Sequence, residues 1–591
     1  MRALDVLKSS WILVIFLVTF FWLPARVFYA RRSAGSVMGI AGNWARIVLA
    51  VTIAAFLLAG LRVFNATTVV VLLGGGIAAN WLWQQAGTHG SVLAGLQTFT
   101  LAIIRKVEAR RFGLYLAPRG SRTVTNSQWR FRIHRWSRMV ERQGVLLACL
   151  AAVLVTTAIL RSEHALRELR FDQPEQYRAL LGARELMLNA LPSSRPLIFP
   201  ALVATTSLLS AVDPMEVARF LSPMVGVLVV LAAGLLIHVG AGRGVAAIAA
   251  MYCLGAFFPG ARADPVVATG PVQKLADLFG GSLTITRAST EFELGLLFLM
   301  LALASLSDWY SNLRGWDSLL DLFCCLVLVG IVSQFLLLIL MIAAAVLLLQ
   351  RAAGLMALVM VCYGLAAYAT LSTGSTIIPN EVFMILPVAA AIAIGCFLAL
   401  IEAPLVARAG RAGSVALLAV FFGIVILWAK PHRLAGQCLE YEAAARQAQG
   451  IARRFPRQQW AVAAPIEQFS ETLGLGAYED LAEFVEKYQH RVSRPEFRFQ
   501  DVPENLFIYV EKRPFQMFSH EPETVPFSVL ADTTYSHYRS PGGRASVESA
   551  ALDLCERYRQ YHSNAEVFFE DEDLRIYHIK QVSDTASKSS R

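Results

Sequence analysis

LFCCLVLVGIVSQFLLLILMIAAAVLLLQ, residues Leu322–Gln350, runs for 29 residues without Asp, Glu, Lys or Arg. A second uncharged stretch covers Val382–Ile401. A helix crossing a bilayer needs about 20 apolar residues, because each residue rises about 1.5 Å and the hydrocarbon is about 30 Å thick. The first stretch is therefore one long tilted helix or two shorter ones. The polar Ser333-Gln334 break favours two. Further spans fall at 11–30, 45–64, 67–84, 143–160, 216–239, 244–258, 292–306, 314–332, 335–350, 353–373, 382–403 and 412–429, while Leu93–Ile104 reads as interfacial. Trp11–Leu23 has no small-residue cleavage site after it and reads as a retained anchor. The expected fold class is mainly α: a polytopic transmembrane helical bundle of about 12 spans with a C-terminal external α/β domain.

Charge sets the orientation. Arg105–Arg142 holds eleven Lys/Arg and two acids, Glu108 and Glu141, the composition of a cytoplasmic loop. Counting spans from there puts 161–215, 259–291 and 374–381 outside, and Arg243, Arg351, Arg408 and Arg411 inside. Residues 431–591 then emerge outside. They carry 19 Lys/Arg against 24 Asp/Glu, whereas 1–430 carry 34 against 19. A basic membrane part with an acidic soluble part excludes a nucleic-acid footprint and fits a multi-pass plasma (inner) membrane protein of the cell envelope. Three regions follow: 1–142, N-terminal spans and basic loop; 143–430, membrane domain with external loops; 431–591, an external α/β unit. In the last, Leu506–Val510 and Leu574–Ile579 read as strands, Glu440–Arg453 and Tyr478–Tyr488 as helices, and Glu570–Asp573 as a solvated turn. Cys438 and Cys555 are the only cysteines there, either paired or free. The other six lie in apolar segments as small hydrophobes.

Acids beside hydrocarbon are costly unless they have a task. The first external loop carries Asp172 and Glu175 ahead of a helical stretch with Arg184 and Glu185. The second ends in Glu291-Phe-Glu293 at the mouth of a span, with Asp264 and Arg287 earlier in the loop. The third reads Thr376-Ile-Ile-Pro-Asn-Glu381. Paired carboxylates suit a hard divalent cation such as Mg²⁺ or Mn²⁺. Each motif also has a plainer reading, since acids favour the first turn of a helix and cap it.

Taken together, the three loops resemble the catalytic subunit of the oligosaccharyltransferases, within the polytopic C-type glycosyltransferases that use lipid-phosphate sugar donors. Glu175-Gln-Tyr177 stands seven residues ahead of Gly182-Ala183-Arg184, as an Asp-Gly-Tyr run does in that family. Glu291-Phe-Glu293 matches its acid-x-acid motif, and Thr376-Ile377 with Glu381 is an expanded form of its T-I-x-E. The family's W-W-D-Y-G is absent, Trp460-Ala-Val-Ala-Ala not matching it, so transfer to a protein sequon is not implied. The resemblance implies inverting transfer from a polyprenyl-phosphate-linked sugar, assisted by Mg or Mn. Glu175, or Asp172, would act as base. Glu175, Glu291, Glu293 and Glu381 would hold the metal, and Tyr177, Arg184 and Arg287 the substrate. Two alternatives stand beside it. One is a metal-independent single-sugar transferase with Asp172 as base and a structural Glu291/Glu293 pair. The other is a non-catalytic membrane protein whose outer domain binds a partner.

Overall fold

The computed structural model describes residues 3–24, 37–76, 144–257, 290–340, 380–428 and 440–581, except 164, 172–173, 193–196, 313–315, 335, 457–458, 466–476, 495, 501, 516–537 and 539–540. The expected span 353–373, the basic loop 105–142, Arg287, Asp172, Asp264 and Cys438 lie outside the described residues.

The chain is mostly helical. In order come α1 (Ala3–Leu17), α2 (Val37–Gly60), α3 (Ala66–Gly76), α4 (Gly144–Glu163), α5 (Pro174–Met187), α6 (Ile198–Ser210), α7 (Pro214–Ala241), α8 (Gly244–Tyr252), α9 (Thr290–Asn312), α10 (Trp316–Val332) and α11 (Asn380–Trp428). Five of these contain stretches long and apolar enough to cross a membrane: Met38–Gly60, Gly144–Glu163, Pro214–Ala241, Thr290–Trp309 and Ala391–Gly410. They mark a membrane protein. Their burial sorts them: the α9 stretch is 94% buried and that of α4 only 11%, so α9 is a central helix and α4 a peripheral one. α9 packs against α7 and α10, and α8 against α7 and α11. Gly410, at φ 57°, breaks α11 into two helices where the sequence places the boundary between its last two spans.

A half-buried ion pair ties α2 to α10. Arg46 Nε lies 2.5 Å from Asp321 Oδ1. A Cβ on Gly42 would fall 2.0 Å from Asp321 Oδ2, so glycine there makes room for the carboxylate.

The C-terminal region is a mixed five-stranded sheet with helices on both faces. Strands β1 (Trp460–Ala464), β2 (Ala477–Asp480), β3 (Asn505–Glu511), β4 (Ala565–Glu570) and β5 (Leu574–Lys580) lie in the order β2-β1-β3-β5-β4. β1 pairs parallel with β2 and β3, and β5 antiparallel with β3 and β4. Side chains alternate between faces. Trp460, Val462, Phe507, Tyr509 and Ile576 face α12 (Glu442–Arg454), while Ala461, Ala463, Leu506, Ile508 and Tyr577 face α13 (Leu481–Tyr488) and α14 (Pro541–Tyr561). Both strands expected from the pattern are present. The helix expected over Tyr478–Tyr488 begins at Leu481; Tyr478–Asp480 belong to β2, and Asp480 caps α13 through the amides of Ala482 and Glu483. Residues 571–573 form the turn between β4 and β5, where Arg575 and Lys512 hold the exposed Glu570 carboxyl down to about 2. Cys555 is a buried free thiol.

Asp321→Asn keeps the shape but loses the charge that Arg46 meets, and is expected to cost about 2 kcal/mol. The measurement is the thermal midpoint of detergent-solubilised protein. The double change Arg46→Met with Asp321→Leu should cost less than Asp321→Asn alone. An equal or larger loss in the double variant would mean that shape, not charge pairing, holds α2 to α10.

Candidate functional site

A connected set of polar groups lies where α4, α5, α6, α7 and α9 meet the start of the C-terminal region. Helix α6 begins at Leu197, a cap residue with no side-chain oxygen. The free amides of its first turn are taken by Glu291, on α9. Leu197 N and Ile198 N donate to Oε1 at 3.1 and 2.8 Å, and Phe199 N donates to Oε2 at 2.6 Å. Pro200, next in line, has no N–H to satisfy. Glu291 thus supplies the cap that the chain lacks locally. Glu291 lies in the first turn of its own helix, as the plainer reading expected, and also caps a different one.

Glu293, one position further than its neighbour Phe292, turns to Arg161 at the end of α4, Nη1 to Oε1 2.6 Å. The guanidinium lies across Gly226 of α7, where a Cβ would stand 3.2 Å from its Cζ, Nε and Nη1. On the same side of α7, Ser222 accepts from Gln176 Nε2 of α5 at 3.1 Å and lies 2.7 Å from Thr290 Oγ1 of α9. One turn earlier, Arg219 pairs with Glu216 at 3.0 Å, and Glu216 also holds Lys8 of α1 at 3.3 Å. Arg219 Nη1 donates to the Glu168 carbonyl at 3.5 Å. Positions 216, 219, 222 and 226 recur at helical spacing and form a polar stripe on α7. Pro223 beside it leaves the Arg219 carbonyl without its helical donor. The stripe was legible as a spacing of three to four at the head of an apolar span, but the span's mean hydropathy concealed it.

The sequence motifs are distributed as follows. Gln176 and Thr290, immediate neighbours of Glu175 and Glu291, are joined through Ser222, so the first and second motifs come together. Glu175 lies in the first turn of α5 and Glu381 in that of α11, but both side chains, like Asp172 and Arg287, lie outside the described residues. Tyr177 is buried, donates to Glu440 and accepts from Phe171 N at 3.2 Å. Arg184 pairs with Asp213, the cap of α7, at 3.3 Å. The contact makes it a strut between α5 and α7.

The donor set was tested against a divalent cation. Three of the roughly four lone-pair sites on Glu291 are bound to backbone amides and Glu293 is neutralised by Arg161. A metal on these two acids would compete with the α6 cap and with the Arg161 pair. Among the described residues no three His, Cys, Asp or Glu side chains form a metal-holding group. The Glu291/Glu293 pair, so arranged, does not fit Mg²⁺ or Mn²⁺. Compared with known proteins, the chain matches no family model and no curated protein.

Glu291→Gln keeps the shape but loses the charge that three amides share. It is expected to lower stability by about 2 kcal/mol, seen as a fall in the thermal midpoint. Millimolar Mg²⁺ or Mn²⁺ should leave the wild-type midpoint unchanged. A clear rise on adding either ion would return Glu291 and Glu293 to the role of metal ligands.

Proposed function

We propose that the chain is a membrane glycosyltransferase that moves a sugar from a polyprenyl-phosphate or pyrophosphate carrier to an acceptor at the outer membrane face, without a metal bridging the Glu291/Glu293 pair. The observation that carries the reading is the chain Gln176–Ser222–Thr290, with hydrogen bonds of 3.1 and 2.7 Å. It brings the stretch that carries Glu175 beside the head of α9 that carries Glu291 and Glu293, which supports the enzyme reading. The resemblance to the C-type enzymes supplies the reaction class.

In this reading Asp172 or Glu175 accepts the proton of an acceptor hydroxyl. The acceptor oxygen attacks the anomeric carbon, and the lipid phosphate departs with the bonding electrons. A positioned base of this kind contributes roughly 10²–10⁴-fold in rate. The leaving phosphate needs a counter-charge. Arg161, paired with Glu293, and Arg219, one turn before Ser222 on α7, stand beside the joined motifs, and a guanidinium has five donors in a fixed fork. The pair with Glu293 through Nη1 leaves further donors on Arg161 to meet phosphate oxygens. A metal-assisted version, with Glu175, Glu291, Glu293 and Glu381 as ligands, is less well supported because Glu291 already serves as a helix cap. The twelve-span topology, with 105–142 inside and 431–591 outside, belongs to the same proposal.

Two measurements test it. A polyprenyl phosphate added to nanodisc-embedded protein should raise the thermal midpoint, with the shift abolished in Arg161→Gln and untouched by EDTA. No shift in the wild type would remove the lipid-phosphate substrate; a shift lost in EDTA would restore the metal. Single cysteines in a Cys-free variant should react with an impermeant thiol reagent on intact cells when placed in 431–591, and only after lysis when placed in 105–142. The opposite pattern would put the site on the cytoplasmic face and end the proposal.

A further inference from the structure

Two carboxylates at the entrance to the C-terminal region reach back onto the first loop. Glu442, in the first turn of α12, accepts from Leu169 N at 2.9 Å and from Arg170 N at 3.1 Å, both through Oε2. Glu440 is 1% exposed and accepts from the Tyr177 hydroxyl, while its backbone carbonyl accepts from Arg170 Nη1. Tyr177 in turn accepts from Phe171 N at 3.2 Å. Three consecutive amides, those of Leu169, Arg170 and Phe171, are therefore held by Glu442 and by the tyrosine that Glu440 anchors. These contacts hold the chain at 169–171 and at Tyr177, on both sides of Asp172 and Glu175 in the sequence.

We propose that Glu440 and Glu442 are positioning residues: they clamp residues 169–171 and Tyr177, which flank Asp172 and Glu175 in the chain, to the C-terminal region. As a statement about a catalytic site, this rests on the glycosyltransferase reading. As a statement about the clamp, it does not.

The clamp has a built-in pH response. Burial pushes the Glu440 carboxyl up to about 8, opposed by the Tyr177 hydroxyl and by Arg170 and Arg544, and reinforced by Glu442. Tyr509 of β3 also faces it, its own ionisation discouraged by burial and by Glu440. The second oxygen of Glu440 takes no hydrogen bond among the described residues, so the charged form lacks the partners it would need. A group whose docked-state value is raised contributes its full stabilisation below its free value. That contribution declines as the pH climbs toward the docked value. The window here runs from about 4.5 to about 8.

Hydrogen exchange on the full-length protein in nanodiscs reads the clamp directly, in peptides covering 168–171. Wild-type protection, corrected for intrinsic rates, should fall roughly tenfold or more between about pH 5.5 and about pH 7.5. Glu440→Gln should keep the protection and flatten the pH profile. Glu442→Gln should lose protection of the Leu169 and Arg170 amides at every pH. An unchanged pH slope in Glu440→Gln, or full protection in Glu442→Gln, would overturn the clamp. Both signatures present in a chain that shows no response to polyprenyl phosphate would uphold the clamp and overturn the enzymatic reading.

Discussion

The first turn of α6 sets the terms for the site. A helix start leaves free N–H groups, and in a water-poor interior each must find an acceptor or destabilise the fold by about 1–3 kcal/mol. Leu197 provides no oxygen and Pro200 removes one donor, leaving three amides to satisfy. Glu291 meets all three, and this locks the beginning of α6 to the beginning of α9. Because α9 is the most buried of the five long helices, that contact transmits its position to α5 and α7.

Once Glu291 is committed to the cap, the remaining charges follow from the cost of burying them alone. Glu293 requires a cation, and Arg161 arrives across Gly226, the position on α7 where a side chain would meet the guanidinium. Arg219 requires an anion and finds Glu216 on its own helix, one turn back. The outcome is a network in which Glu293 and Arg219 each meet an opposite charge on a neighbouring turn or helix.

How much of this could be read from the chain depends on the distance over which each signal acts. Helices α7, α9 and the break at Gly410 follow from local composition, and β3 and β5 from alternation of side chains, so the sequence places them correctly. Tyr478–Asp480 has helix-like spacing but pairs with β1, because parallel neighbours are chosen by the sheet and not by the segment. The acids at 291 and 293 were visible as a motif. Their partners were not, since Leu197 lies 94 residues before Glu291 and Arg161 lies 132 before Glu293. Arg184 shows the same limit: its spacing within a recognisable run suggested a ligand contact, and only the fold reveals Asp213 beside it. Glu440 and Glu442 drew no notice at all, being two ordinary acids at a helix start, the commonest place for them.

The C-terminal region is bound to the membrane part through more than these two acids. One continuous buried cluster runs from the membrane helices, through Phe171 and Tyr177, to Ala444, Ala448 and Ile451 of α12 and on to Trp460, Phe507, Tyr509 and Ile576 of the sheet. The opposite face of the sheet forms a separate cluster of its own with α13 and α14. A module that merely hung from the last helix would keep its hydrophobic faces to itself. Here one face is completed by contacts that lead back to the membrane helices, and the polar clamp sits at the edge of that shared core. Any movement of the sheet relative to the bundle must therefore be felt at Leu169, Arg170 and Tyr177, on either side of the acids on which the proposed chemistry depends.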